Sequence, residues 1–351
     1  MRILYQLNSK IKDLKPYEPL KGDFRIRLDA NESFLPLPTN VMTKMLETLV
    51  QTDFNRYPDP LAVNPSRAFS EYYGIDPELV TAGNGSDELI SVLISTFLMK
   101  GDTVVTLSPD FTMYRFYSSL VEVQCVEVVK NSDLTIDVNE LITVVIQTGA
   151  KMILFSNPCN PTSLGLTREE VRKIINSVNA LVVLDEAYMD FWDQSLLEEV
   201  EQYDNLVILR TCSKAFGLAA LRIGFAVANP TITSAIRAVK SPYNVNTLTQ
   251  SAASVILSNS DILKEASNQI VCSRILLSQQ LENLLKRKPN RFDLFPSCTN
   301  FVFLRLSDAK SIYEQLLFKG IAVRLMGDCL RITAGAPQEN TELITALEQI
   351  L

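Results

Sequence analysis

Between residues 103 and 228, six short apolar runs alternate with segments of helical periodicity: Thr103 to Leu107, Val121 to Val129, Lys151 to Phe155, Ala180 to Leu184, Leu206 to Arg210 and Ile223 to Ala228. Runs this short and this continuously apolar suit strands buried on both faces, and the helical segments between them supply the crossovers that parallel strands need. The expectation is an α/β chain whose large domain holds a mostly parallel sheet covered by helices. After about residue 244 the pattern changes. Long helical stretches fill 246–287, an apolar run spans Asn300 to Leu306, a helix is expected near 309–319, and a last apolar stretch runs from Ile321 to Arg331. This reads as a smaller C-terminal α/β domain over 244–351. The proline-bearing residues 1–40 read as an N-terminal arm, which leaves 41–243 for the large domain.

Open α/β sheets gather ligands outside the carboxyl ends of their strands, so the residues just past each run are where chemistry is expected. Lys214 stands there in Thr211-Cys212-Ser213-Lys214, beyond the run ending at Arg210, with Arg222 eight residues on. A desolvated, unprotonated lysine amine attacks carbonyls, and the Thr211 and Ser213 hydroxyls with the Arg222 guanidinium are donors suited to a phosphate. Together they suggest a Schiff-base lysine holding a phosphorylated aldehyde. Gly85, Ser86 and Asp87 open a helical pattern that reaches Met99. The amino end of that helix suits a phosphate, and it equally suits an ordinary cap made by Ser86 or Asp87.

Two further strand ends belong to the same pattern. Asp185, in Leu184-Asp185-Glu186-Ala187-Tyr188, can keep a pyridine nitrogen protonated so that the ring accepts electrons, with Tyr188 donating to a ring oxygen. A helix cap or a magnesium ligand is the other reading of that Asp-Glu pair. Asn160, in Ser156-Asn157-Pro158-Cys159-Asn160-Pro161, sits in a loop made extended by two Asn-Pro steps, from which its amide can meet a ring oxygen. The alternative is a tight connection with no ligand. Phe111, after Pro109-Asp110, can stack on a ring or simply pack in the core.

The chain contains no histidine, which excludes Ser-His-Asp hydrolysis, Cys-His nucleophiles and imidazole metal sites. Six widely spaced cysteines without a C-x-x-C pair suit reduced thiols in a cytoplasmic protein. A net charge of -7 offers no overall basic field for nucleic acid or an anionic membrane, so small molecules are the expected partners. The start of the chain turns polar too early for a signal peptide, and no run reaches membrane-spanning length.

Seven segments in order carry a resemblance: D-A-N-E-S-F at 29–34, N-R-Y-P-D-P at 55–60, A-G-N-G-S-D-E-L at 82–89, S-N-P-C-N-P-T at 156–162, D-E-A-Y at 185–188, the lysine segment, and C-L-R-I-T-A-G at 329–335. Over nearly its whole length the chain resembles the fold-type I pyridoxal-phosphate aminotransferases, and among them the histidinol-phosphate aminotransferases. The resemblance implies pyridoxal 5′-phosphate as cofactor and no metal. By motif position it implies that Lys214 binds the cofactor and moves the proton and that Asp185 pairs with the pyridinium. Asn160 and Tyr188 would hold the ring oxygen, Phe111 would stack on the ring, and Gly85, Ser86, Asp87, Thr211, Ser213 and Arg222 would surround the phosphate. Tyr57 matches a tyrosine that reaches the phosphate of the neighbouring subunit, which implies a homodimer.

For substrates, the same resemblance gives Arg331 the α-carboxylate of glutamate or 2-oxoglutarate, in the bidentate grip that a planar guanidinium favours. Arg324 is similar to the arginine that takes the phosphate of histidinol phosphate, with a surface ion pair as its other reading. Tyr17 and Asn31 would close that pocket from the arm, although Tyr17 also suits plain packing. The implied reaction converts imidazole-acetol phosphate and glutamate to histidinol phosphate and 2-oxoglutarate in L-histidine biosynthesis. Aromatic amino-acid aminotransferases and threonine-phosphate decarboxylases share the scaffold, and a non-catalytic regulatory or binding protein is a reading of another class. Ser163 and Ala220 stand where the family commonly has glycine, and the connection from Arg324 to Arg331 is short.

Overall fold

Each apolar run between residues 103 and 228 contributes a strand to one seven-stranded sheet. The structure, a computed structural model, describes residues 5–16 and 18–351. The chain begins with β1 (Ile26–Arg27), α1 (Thr39–Val50) and α2 (Val63–Tyr73). It continues through β2 (Val80–Gly83), α3 (Ser86–Phe97), β3 (Thr103–Ser108), α4 (Met113–Leu120) and β4 (Gln124–Val129). Next come α5 (Val138–Thr148), β5 (Met152–Ser156), α6 (Arg168–Ser177), β6 (Leu181–Asp185), β7 (Leu206–Thr211) and β8 (Gly224–Ala228). The strand order is β2-β8-β7-β6-β5-β3-β4.

Strands β3 to β7 run parallel, while β8 is antiparallel to both β7 and β2. The reversal has a local cause. Only a short 3₁₀ turn, Ala219–Leu221, interrupts the loop from β7 to β8, and without a crossover helix the chain cannot return parallel. Side chains alternate between two cores: Met152 and Leu154 pack with Leu89, Leu93 and Tyr114 on one face, and Ile153 and Phe155 pack with Phe69, Leu141 and Ile174 on the other. Burial on both faces is why these strands read as unbroken apolar runs.

The chain then forms α7 (Pro230–Val239), α8 (Thr247–Leu257) and the long α9 (Ser260–Arg287). A four-stranded antiparallel sheet follows, made from β9 (Asp293–Phe295), β10 (Phe301–Arg305), β12 (Arg324–Met326) and β13 (Cys329–Thr333), with α10 (Ala309–Phe318), β11 (Ile321–Ala322) and α11 (Pro337–Ile350) completing the chain. Leu263 and Ile270 of α9 belong to the first core, whereas Leu277, Leu281 and Leu284 belong to a core built on the smaller sheet. One helix therefore joins both. β1 pairs in parallel with β11, Ile26 opposite Ile321, and this pairing anchors residues 26–31 beside β13. No helix among the described residues is long and apolar enough to cross a membrane.

Candidate active site

Because β2 is antiparallel to β8 and β8 to β7, the carboxyl ends of β2, β3, β5, β6 and β7 all emerge on one edge of the sheet. Register brings specific residues together there: Gly83 and Thr211 both lie opposite Gly224, and Ser156 lies opposite Asp185. The approach at Gly224 is close enough to demand glycine. A Cβ there would fall 2.4 Å from the backbone nitrogen of Ser86 and 2.8 Å from the carbonyl oxygen of Arg210.

That contact seats the amino end of α3 against the sheet beside Arg222. Gly85 precedes the helix at φ 84°, and no side chain caps it, so neither Ser86 nor Asp87 acts as the ordinary cap considered above. A Cβ on Gly85 would lie 2.8 Å from Nη2 of Arg222. Arg222 itself adopts left-handed backbone geometry at φ 51°, a strained conformation for a bulky residue. Its Nη1 donates to the Ala219 carbonyl at 3.3 Å and approaches the Ser213 hydroxyl at 3.4 Å, and it forms no ion pair among the described residues. The Thr211 hydroxyl donates to that of Ser213 at 3.1 Å and accepts the Ser213 backbone N–H at 3.2 Å. Gly85, Ser86, Thr211, Ser213 and Arg222 thus form a cradle of hydroxyl, guanidinium and uncapped helix N–H donors, which is anion-binding chemistry. Asp87 takes the Tyr117 hydroxyl on one oxygen at 2.8 Å, while its Oδ1 is buried without a hydrogen-bond partner among the described residues.

Deeper in the site, Asp185 is 5% exposed at the end of β6. Its Oδ2 accepts from the Tyr114 hydroxyl at 2.8 Å and its Oδ1 from the Ala187 backbone N–H at 3.2 Å. Burial pushes its pKa up to about 6; the Tyr114 hydrogen bond opposes the shift and the nearby charge of Asp110 adds to it. Asp110 is also pushed upward by burial, against the pull of Lys130, and its carboxylate accepts the Ser156 hydroxyl. The Ser156 oxygen in turn accepts the Asn160 backbone N–H at 3.1 Å. On the same loop, Asn157 brackets Leu166, accepting its N–H at 2.7 Å and donating to its carbonyl at 3.1 Å. Ser163, at φ 66°, occupies a conformation that suits glycine, and its hydroxyl meets those of Ser297 and Thr299 at 2.7 and 2.6 Å.

Lys214 faces this constellation. Its Nζ donates to the Ala30 carbonyl at 3.0 Å and lies 5.9 Å from the centre of the Tyr188 ring. The Tyr188 oxygen accepts the Asn31 side-chain amide at 2.9 Å, which leaves its own O–H to point elsewhere. Asn31 is held by Thr333 and Asn300, so it supports Tyr188 from the arm. Arg331 Nη1 donates to Asn160 Oδ1 at 2.5 Å and its Nη2 to the Asp29 carbonyl at 2.7 Å, and its guanidinium lies over the Phe301 ring at 5.5 Å. Arg324 is directly opposite Arg331 on the neighbouring strand, which puts both side chains on one face of the sheet. Half-buried Arg324 lines a cavity of about 310 Å³ with Asp29 and Tyr313, and its side chain has no hydrogen-bond or ion-pair partner among the described residues.

Phe111 sits at the mouth of α4, edge-on to Tyr114 with ring centres 5.5 Å apart. Tyr57 is brought elsewhere: it is 81% exposed and stacks flat on Tyr243 at 4.6 Å. Tyr17 lies outside the described residues. Sequence reasoning passed over Tyr114, Asp110 and Ser156. The available signal was the spacing Phe111 to Tyr114, one helical turn that aligns two aromatics on one face.

The description Aminotransferase class I and II matches residues 25–347. The chain belongs to this aminotransferase family. The aminotransferase is 38% identical over 343 residues to the histidinol-phosphate aminotransferase of Clostridium novyi, covering 96% of this chain and 95% of that one. It is 36% identical to the protein of the same name from Thermococcus gammatolerans, covering 98% and 97%. In fold it is similar to the histidinol-phosphate aminotransferase of Sinorhizobium meliloti solved with pyridoxal 5′-phosphate, at a TM-score of 0.88, 24% identity and coverage of 99% and 98%. It is also similar to L-threonine-O-3-phosphate decarboxylase of Porphyromonas gingivalis, at a TM-score of 0.79, 22% identity and coverage of 93% and 99%. The α/β architecture expected from the apolar runs is the fold these enzymes share.

Proposed function

We propose that the aminotransferase uses pyridoxal 5′-phosphate to pass an amino group from glutamate to imidazole-acetol phosphate, yielding histidinol phosphate. The observation that carries this reading is the pair Arg324 and Arg331, directly opposite one another on β12 and β13. Like charges so placed destabilise a sheet unless anions neutralise them. A glutamate carboxylate suits Arg331, whose guanidinium is already oriented by Asn160 and Asp29. The phosphate of the second substrate suits Arg324, which lines a cavity and whose side chain has no hydrogen-bond or ion-pair partner among the described residues.

The donors present fit the cofactor. Gly85 leaves open the space a Cβ would fill beside Arg222, and Ser213, Thr211 and the uncapped end of α3 complete a phosphate cradle. Asp185 would hold the ring nitrogen, Phe111 would lie against the ring, and Asp87 with its unmatched oxygen would border the site. Once bound, pyridoxal phosphate supplies an aldehyde for amines and a ring that takes up the electron pair left when carbon loses a proton. Lys214 would be the base, removing and returning that proton at its Nζ. Tyr188, whose oxygen already accepts from Asn31, would offer its O–H to the ring oxygen, and Asn160 would offer its Nδ2–H because Arg331 occupies its Oδ1.

The same reading includes a homodimer and a cytoplasmic location. Met42, Leu46, Val50, Phe54, Tyr57 and Leu61 are exposed apolar residues within one 20-residue stretch, and a second copy covering them would let Tyr57 reach the neighbouring phosphate cradle. The six cysteines are free thiols, which suits a reducing compartment. Arg324→Ala is expected to raise KM for histidinol phosphate roughly 10- to 100-fold and leave KM for glutamate nearly unchanged. Steady-state kinetics on both substrates checks this. An unchanged KM for histidinol phosphate would remove the phosphate role of Arg324 and favour an aromatic substrate.

A further inference from the structure

We propose that Tyr114 is a positioning residue that keeps the proton shared between Asp185 and the cofactor on the ring nitrogen rather than on the carboxylate. The proposal rests on the assignment of Asp185 to that nitrogen. Tyr114 is 1% exposed, and its hydroxyl donates to Asp185 Oδ2 at 2.8 Å while the other carboxylate oxygen accepts the Ala187 N–H at 3.2 Å. A ring acts as an electron sink only while its nitrogen is protonated, so the carboxylate must stay the weaker base of the pair.

The surroundings of Asp185 push the other way. Burial favours its protonated form, and two further carboxylates face it, Asp110 from the β3–α4 loop and Asp87 from α3. Lys130 acts on Asp110 and Cys159 faces Tyr114. Among the described residues, the hydrogen bonds that favour ionised Asp185 come from Tyr114 and the Ala187 backbone. Tyr114 is suited to this task because burial first, and then the negative charge of Asp185, push its own pKa well above the usual phenol value, so it remains an O–H donor. Its placement ties it to the rest of the site. The Tyr114 backbone N–H approaches the Phe111 carbonyl at 3.3 Å, and the two rings meet edge to face, so the aromatic expected against the ring and the donor to Asp185 ride on one turn.

The test follows the Asp185 carboxyl carbon by NMR in apoprotein with labelled aspartate, the resonance being assigned by its loss in Asp185→Asn. The wild-type midpoint is expected near 6, and Tyr114→Phe is expected to raise it by about one pH unit. Fluorotyrosine in place of Tyr114, a stronger donor, is expected to lower it. In the loaded protein, the NMR shift of labelled cofactor nitrogen is expected to move toward the unprotonated value in Tyr114→Phe. Midpoints that are the same in all three proteins, or that move in one direction for both substitutions, would overturn the role of Tyr114 and leave only core packing. A different result would overturn the underlying reading instead: equal cofactor affinity in wild type and Asp185→Asn.

Discussion

Lys214→Ala is expected to lower transamination by about 10⁴-fold or more, because under the proposed assignment it removes both the amine that would hold the cofactor and the base that would move the proton. The fold should survive. Lys214 is half-buried, and its one side-chain hydrogen bond among the described residues runs to the Ala30 carbonyl at 3.0 Å, so the change in stability should stay below about 1 kcal/mol. Single-turnover assays with glutamate, paired with thermal unfolding of the same samples, separate the two effects. Residual transamination within an order of magnitude of wild type would remove Lys214 from the chemistry.

Asp185→Asn is expected to pull function and stability apart. Under the proposed assignment the substitution removes the charge that would lie opposite the ring nitrogen, and kcat/KM should fall at least about 10²-fold. The apoprotein should become more stable. Burial raises the pKa of Asp185 from 3.8 to about 6, so the folded state binds its proton more tightly than the unfolded chain does. Any stability linked to a raised carboxyl pKa is intact below about pH 4 and is lost as pH rises through 6, at a cost of roughly 3 kcal/mol once both states are ionised. Asparagine removes that charge and keeps the contacts: its Oδ1 accepts the Ala187 N–H, and its Nδ2 donates to Tyr114, whose hydroxyl turns to accept. Unfolding of both apoproteins across pH should show curves that coincide below about pH 4, diverge between about pH 4 and 6 and stay a constant distance apart above that, with the variant the more stable. A gap independent of pH would contradict the burial account of Asp185.

The parts of this architecture that sequence made legible are those fixed by periodicity. The run at Leu206 became β7 (206–211), and the run at Thr103 became β3 (103–108), because strands buried on both faces leave continuous apolar stretches. The run at Val121 was too long. Val121 ends α4 and Glu122 adopts a left-handed turn at φ 60°, so the strand begins only at Gln124, a distinction that hydrophobicity does not carry. Likewise Ile321 to Arg331 is three short strands, the last two joined through Gly327 at φ 63°. The placement of Asp185, Asn160 and Lys214 at or just past strand ends was visible because strand ends are predictable places. Tyr114 and Asp110 were not, since their partners, Asp185 and Ser156, are distant in sequence and meet them only through the strand order. The arginine pair was visible as two residues. That they face each other depends on the turn between β12 and β13.

The most direct test of the central claim is the visible absorption of the protein loaded with pyridoxal phosphate, recorded as L-histidinol phosphate, glutamate, phenylalanine or threonine phosphate is added in turn. The account predicts that histidinol phosphate and glutamate each discharge the cofactor's visible band by giving up their amino group, with phenylalanine far weaker and no carbon dioxide released from threonine phosphate. Equal discharge by phenylalanine, or carbon dioxide from threonine phosphate without amino transfer, would contradict it.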